Sequence, residues 1–190
     1  MTVVAPSASS TSAELSFWTR TGTCWRLAAG PWQARVGRNG LSARHREGDG
    51  TTPIGAFGIG ATMYGVAANP GVHYRYRRLV CGDWWDEDPT SPDYNEFVHV
   101  RCGTTPPFGG GSEALWQETT AYVHFAFIDY NVDPVVPGRG SAIFLHADVG
   151  AATDGCVSLP LPELDDVLRR LQPSSSPLVV IGTGAGIRRL

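Results

Sequence analysis

The chain has 190 residues, among them 23 glycines and 14 prolines, and only 17% of it is charged, against about 25% in an average domain. With 42% hydrophobic residues and no heptad pattern, wholesale disorder and a coiled coil are both excluded. The net charge of −3 argues against binding to nucleic acid or to anionic lipid, and no stretch approaches the ~20 apolar residues of a membrane span.

The first thirteen residues, MTVVAPSASSTSA, have no basic start and no long apolar run, so they do not read as a signal peptide. They read as a disordered Ser/Ala/Thr-rich linker left after a leader was removed, which would place the protein outside the cytoplasm. A cytosolic protein with a loose N-terminus is the alternative. Residues 14–190 then form a single domain. Leu15 to Arg26 and Trp32 to Gly37 read as strands broken by Gly22 and by Gly30-Pro31. Ile54 to Ile59, Phe97 to Val100, Tyr122 to Tyr130 and Ser141 to Leu145 follow as strands. The last is apolar throughout, as a strand buried on both faces would be. Ser112 to Thr119 reads as a short helix capped by Ser112. Leu161 to Leu171 is the clear helix: Leu161, Leu164, Val167, Leu168 and Leu171 follow the 3.6 period, with acids early and Arg169, Arg170 late. Leu178 to Ile181 is a final strand. The fold class is mainly β, a sandwich or barrel-like arrangement with one amphipathic helix near the C-terminus and a short helix near 112–119.

The four cysteines, Cys24, Cys81, Cys102 and Cys156, contain no C-x-x-C pair, which disfavours a zinc ribbon or a thioredoxin-type site. Cys81 and Cys102 bracket an acidic, aromatic, turn-rich segment that reads as a loop insertion, with Trp84 and Trp85 packed under solvated acids. A disulfide there would remove about 3 kcal/mol of unfolded-state entropy and require an oxidising compartment. Two buried thiols in neighbouring strands are the alternative. Cys24 reads as a buried thiol in a strand. His45, His73, His99 and His124 have no partner pattern.

The informative stretch is GRGSAIFLHADVGAATDGCVSLP. A buried strand delivers His146 at its end, and ten residues later Thr153-Asp154-Gly155-Cys156 follows a loop of small residues. Such a loop can fold back and set the Cys156 thiol beside the imidazole. A free cysteine is only a few per cent thiolate at neutral pH, so a base that takes its proton is what thiol chemistry requires. Gly155 permits a sharp turn and leaves the N–H groups of Gly155 and Cys156 open as oxyanion donors. Thr153 can hold the turn. Other readings stay open: an inert buried thiol, or a zinc site with His146, Asp148 and Cys156 as ligands.

Three stretches in order resemble the L,D-transpeptidase (YkuD-like) catalytic domain family. They are Arg46-Glu47-Gly48-Asp49-Gly50-Thr51-Thr52-Pro53-Ile54-Gly55-Ala56-Phe57, then Phe127-Ile128-Asp129-Tyr130-Asn131 with Gly138-Arg139-Gly140-Ser141, then His146 with Thr153-Asp154-Gly155-Cys156-Val157-Ser158. Asp154 stands where many members carry a second His, and Ser158 where Arg or Asn is common. The resemblance implies acyl transfer on peptidoglycan stem peptides, without a cofactor. Cys156 is then the nucleophile, His146 the base and Gly155 part of the oxyanion site, and the same sulfur is open to carbapenem-type β-lactams. By position, Tyr130 or Asn131 before the His strand, Arg139 in the Gly-Arg-Gly turn, and Thr153 and Asp154 before the nucleophile are substrate-side candidates, with a packed strand-end aromatic and a turn-capping or ion-paired Arg139 as the alternatives. Arg139 can hold a carboxylate, and Asp148 or a backbone carbonyl can orient His146. An L,D-carboxypeptidase using the same dyad and a non-catalytic wall-binding module are the competing readings.

Overall fold

The computed structural model describes residues 1–109 and 111–187. The strands, in chain order, are β1 (Thr2–Ala5), β2 (Ser12–Thr21), β3 (Cys24–Arg35), β4 (Leu41–Ser42), β5 (Thr52–Pro53), β6 (Gly55–Phe57), β7 (Ile59–Gly65), β8 (Arg75–Arg78), β9 (Asp83–Asp86), β10 (Glu96–His99), β11 (Glu113–Ala114), β12 (Phe125–Ile128), β13 (Phe144–Ala147), β14 (Val157–Leu159) and β15 (Val179–Thr183). Helix α1 covers Leu161–Arg170.

Ten strands form one mixed sheet in the order β6-β15-β1-β2-β3-β14-β13-β12-β7-β8, and β10-β9-β11 form a second, smaller one. Alternation along β12 and β13 shows why the large sheet is covered on both sides. Ala126, Ile128 and Leu145 face one cluster with Val3, Leu15, Val36 and Met63, closed by Leu164, Val167, Leu168 and Leu171 at the helix. Phe125, Phe127 and Phe144 face the other, with Tyr64 of β7 and Tyr122 just before β12, closed by Trp85 and Leu115 from the smaller sheet and its connection. Both faces exclude water, so β13 is buried at every position. Helix α1 begins with prolines at 160 and 162, whose missing N–H groups a helix start tolerates. Arg169 and Arg170 lie in its last turn, where the helix dipole favours cations.

Several expectations are corrected. The N-terminal thirteen residues are not a disordered linker: β1 pairs in parallel with β15 and antiparallel with β2, and Val3 and Ala5 are fully buried. The Thr-Val-Val-Ala alternation is that of a strand, and the Ser-rich run after it is only the turn into β2. The short helix expected near 112–119 is reduced to a 3₁₀ helix at Leu115–Gln117, without the Ser112 cap. Glu113–Ala114 pairs with β9. Leu115 is fully buried in the aromatic cluster, and that packing overrides a weak local preference. The 81–102 segment is not a bare loop: it holds the β9–β10 hairpin, closed by a disulfide between Cys81 and Cys102 with Cα atoms 5.3 Å apart. Its acids are not all solvated, since Asp83 and Asp86 have no exposed surface. Asp83 is held by Arg77 and His99, each at 2.6 Å. Cys24 is exposed near the tip of the β2–β3 hairpin.

Candidate active site

His146 and Cys156 reach the same face of the large sheet by different routes. Strands β13 and β14 run parallel, with Leu145 opposite Val157 and His146 opposite Ser158. Phe144 therefore lies level with Cys156, and Phe144, His146, Cys156 and Ser158 all point to the aromatic side. The Cys156 side chain packs against the aromatic cluster.

The turn before Cys156 is held from three directions. The Thr153 hydroxyl donates to the Cys156 carbonyl at 2.6 Å and accepts the Gly155 N–H at 3.2 Å. The backbone of Thr153 pairs with that of Val36 and Arg38. The Thr52 hydroxyl, from the Gly-Asp-Gly-Thr-Thr-Pro stretch, accepts the Gly37 N–H and donates to the Cys156 carbonyl. Gly155 has φ +146°, and a Cβ there would lie 3.0 Å from the Thr51 carbonyl oxygen and 3.1 Å from Ile143 Cδ1. Only glycine satisfies both the backbone angle and the close approach.

The thiol is engaged with backbone. Its S–H donates to the Ala142 carbonyl at 3.2 Å, and Sγ accepts the Phe144 N–H at 3.3 Å. Burial pushes the Cys156 thiol well up. The Glu113 carboxylate pushes it further, the Phe144 N–H opposes this, and Glu87 adds to the rise. His146 is 6% exposed. Burial lowers its affinity for a proton, partly offset by the Ala147 carbonyl and by Asp148. At neutral pH the site is thus a neutral thiol with a neutral imidazole. Nδ1 lies 2.8 Å from the Ala147 carbonyl oxygen; since that oxygen can only accept, Nδ1 carries the proton and Nε2 the lone pair. A backbone carbonyl, and not Asp148, orients the ring. Asp148 instead pairs with Arg35 at 3.0 Å, which removes it from the zinc set. Among the described residues no group of three or more His, Cys, Asp or Glu is arranged to hold a metal ion.

The other expected residues fall into two groups. Gly155 and Thr153 shape the nucleophile turn, but the Gly155 N–H is taken by Thr153, so the Cys156 N–H is the remaining oxyanion donor of the pair. Tyr130, Arg139 and Asp154 do not converge on the sulfur. The Tyr130 hydroxyl donates to the Arg139 carbonyl at 2.8 Å, and its ring meets those of His45 and Phe57 edge-on. Tyr130 therefore holds the loop before β13. The Asn131 side chain ties the same loop to Val136 and Gly140. Arg139 is exposed. Asp154 is exposed and pairs with Arg38.

Four groups near the site carried no readable signal. The Tyr122 ring lies edge-on to His146, with centroids 5.8 Å apart, and its hydroxyl donates to Glu113. Glu87 has a buried oxygen, Oε1, without a partner among the described residues. Ser158, 1% exposed and opposite His146 on the neighbouring strand, also has an unpaired hydroxyl. His45, expected to lack a partner, sits against Asp49 and Thr51, each 3.0 Å from its Nδ1. It also fills the space beside Gly140 and Gly155. His99 and His124 likewise hold carboxylates, Asp83 and Asp165. The His99 and His124 pairings join residues 16 and 41 positions apart, which spacing does not reveal, whereas His45 meets Asp49 and Thr51 within one tight turn of the chain.

Compared with known families, residues 9–181 match the model of the YkuD L,D-transpeptidase catalytic domain. No curated protein and no solved structure matches the chain.

Proposed function

Because the chain belongs to the L,D-transpeptidase catalytic domain family, whose members act on peptidoglycan, we propose that it is a cysteine acyltransferase acting on stem peptides, with Cys156 as nucleophile and His146 as base. The observation that carries this reading is the placement of both side chains on one face of the sheet by the parallel β13–β14 register, with Nδ1 of His146 committed to a carbonyl and its lone pair therefore on Nε2.

In the first half-reaction Cys156 Sγ attacks the carbonyl carbon of the amide that precedes a terminal D-Ala. The sulfur–carbon bond forms as the thiol proton passes to His146 Nε2. The carbonyl electrons move to oxygen, where the Cys156 N–H can receive the charge. Collapse of this adduct expels the D-Ala amine, which takes the proton from His146, and leaves a thioester. In the second half-reaction an amine of a neighbouring stem attacks the thioester, gives a proton to His146 and releases the sulfur, which recovers the proton. Water in place of the amine would make the enzyme an L,D-carboxypeptidase.

The disulfide between Cys81 and Cys102 supports an extracytoplasmic setting, since such bonds persist in oxidising compartments. The test uses intact mass after incubation with a carbapenem, then product mass with a tetrapeptide stem and an amine acceptor. Adduct and cross-linked product should both vanish in Cys156→Ala. A product carrying water instead of the amine would assign the hydrolase. A native protein that forms neither adduct nor product would sink the enzymatic reading in favour of a wall-binding module.

A further inference from the structure

The aromatic side of the site contains a bonded pair that the acyl-transfer steps above do not use. Tyr122 is buried, and its ring meets those of His146, Phe144 and Phe125 at centroid distances of 5.8, 5.6 and 4.8 Å. Its hydroxyl donates to the Glu113 carboxyl. Glu113 is carried on β11, which pairs with β9 so that Glu113 lies opposite Trp85. The Trp85 ring in turn packs edge-on to Phe144 at 5.0 Å, and the Phe144 N–H donates to Cys156 Sγ. One rigid set of contacts thus runs from Glu113 to both members of the dyad.

We propose, building on the reading of Cys156 as nucleophile, that Tyr122 and Glu113 are positioning residues of the dyad: the tyrosine ring fixes the His146 imidazole, and its hydroxyl fixes the Glu113 carboxyl on the aromatic side of the sheet that also holds the thiol. Among the described residues, the carboxyls that bear on Cys156 are Glu113 on β11 and Glu87 just after β9; burial raises both, so each opposes loss of the thiol proton only once it has lost its own, toward alkaline pH. His146 is flanked by Asp148, itself paired with Arg35. No cation faces the sulfur from these elements to offset the carboxylates. A negative charge there opposes loss of the thiol proton to solvent. The proton leaves Sγ when the sulfur bonds to carbon, because at that point no thiolate has to persist beside Glu113. The pair therefore guards a buried nucleophile against idle ionisation, and so against oxidation or alkylation between turnovers.

The test reads the thiol directly, apart from acyl transfer. Alkylation of Cys156 by iodoacetamide is followed by peptide mass across a pH series in native protein, Glu113→Gln and Tyr122→Phe. Exposed Cys24 is resolved by its own peptide. Tyr122→Phe keeps the ring against His146 and removes only the hydroxyl, and thermal melting of each variant confirms that it is folded. Each tenfold gain in thiolate should raise the alkylation rate roughly threefold, since the gain is partly offset by lower nucleophilicity. Glu113→Gln should react at least about threefold faster than native protein on the alkaline limb, where Glu113 is ionised. The gap should close toward acid pH, where Glu113 is protonated in the native protein as well. Tyr122→Phe should shift in the same direction by less, because Glu113 holds its proton more tightly without the tyrosine hydroxyl. Equal rates in all three proteins at every pH, zero included, would overturn the proposal and leave the pair a packing feature. Loss of acyl transfer in Cys156→Ala is read in a separate assay, so failure of the nucleophile reading and failure of this one are told apart.

Discussion

The backbone N–H of Phe144 points at the sulfur of Cys156 from 3.3 Å, and the thiol donates to the Ala142 carbonyl two residues earlier. The nucleophile is therefore held by the strand that also carries the base, so any shift of β13 moves both. With the thiol and imidazole both neutral, the dyad works by general-base transfer and not as a standing ion pair. Base function requires His146 unprotonated, and burial lowers its proton affinity. The acid limb of the pH–rate profile should fall below the ordinary imidazole value of about 6.5, so activity persists into mildly acid solution. His146→Gln should lower the rate by about 10²–10⁴ and abolish that limb. A native acid limb above the ordinary imidazole value would count against the lone-pair assignment.

Gly155→Ala adds a Cβ 3.0 Å from a backbone oxygen at a φ of +146°. The carbonyl belongs to Thr51, whose neighbour Thr52 supports the nucleophile turn, so neither side can yield alone. A loss of about 1–3 kcal/mol is expected, together with a loss of acyl transfer larger than the stability change alone would cause. Denaturant melts and carbapenem acylation rates measured on one preparation check both halves. An alanine variant acylated at the native rate would show that the turn is not strained.

How far the sequence foretold this site depends on how local each feature is. The Leu161–Leu171 period, the buried strand before His146 and the Gly-Cys turn are written in neighbouring residues, so they were legible. The long pairing of β1 with β15 joins residues at opposite ends of the chain, and a Ser-rich context hid a four-residue strand. Glu113 in a short acidic-then-apolar run reads as a helix start, yet what places it is pairing with Trp85. Tyr130 and Arg139 looked like substrate residues because they flank the His strand. They are bound to each other through a side chain-to-carbonyl bond, an arrangement that only the folded loop reveals.

Glu87 makes stability depend on pH in an unusual direction. Burial first, then the nearby carboxyls of Glu113, Glu47 and Asp86, push its carboxyl up to about 9 from 4.5. Between those values the unfolded chain has lost the proton and the folded chain still holds it. Stability from this group is therefore full below 4.5 and is lost as the pH rises toward 9. Glu87→Gln should melt like native protein in acid and progressively higher than it on the alkaline side. Parallel melting curves across the pH range would mean that Glu87 is ionised in the fold.

Opening the Cys81–Cys102 bond frees a loop of sequence separation 21, for which chain entropy predicts a loss of about 3 kcal/mol. In a domain of this size that is roughly 10 °C in melting temperature. The β9–β10 hairpin that the bond closes carries Trp85 under Phe144, so the loss should extend to the site. Carbapenem acylation of Cys81→Ser/Cys102→Ser should slow at temperatures well below its own melting point. A double variant with native melting and native acylation would show that the hairpin is held by its packing alone.

The first strand offers a sharp contrast between a linker and a structural element. Val3 is fully buried between β15 and β2, whereas Ser9, a few residues on, is exposed. A linker would accept substitution at both positions equally. As part of the sheet, Val3→Ala removes two buried methyl groups and leaves a void, worth about 2 kcal/mol, while Ser9→Ala should change little. Chemical denaturation of the two variants side by side measures the difference. Deleting residues 1–5 altogether would strip one edge from each of β15 and β2 and expose apolar surface beneath. The deletion should therefore cost far more than the single substitution, and its product should aggregate through the unpaired strands. A soluble deletion variant with the native melting temperature would restore the N-terminus to the role of a tail.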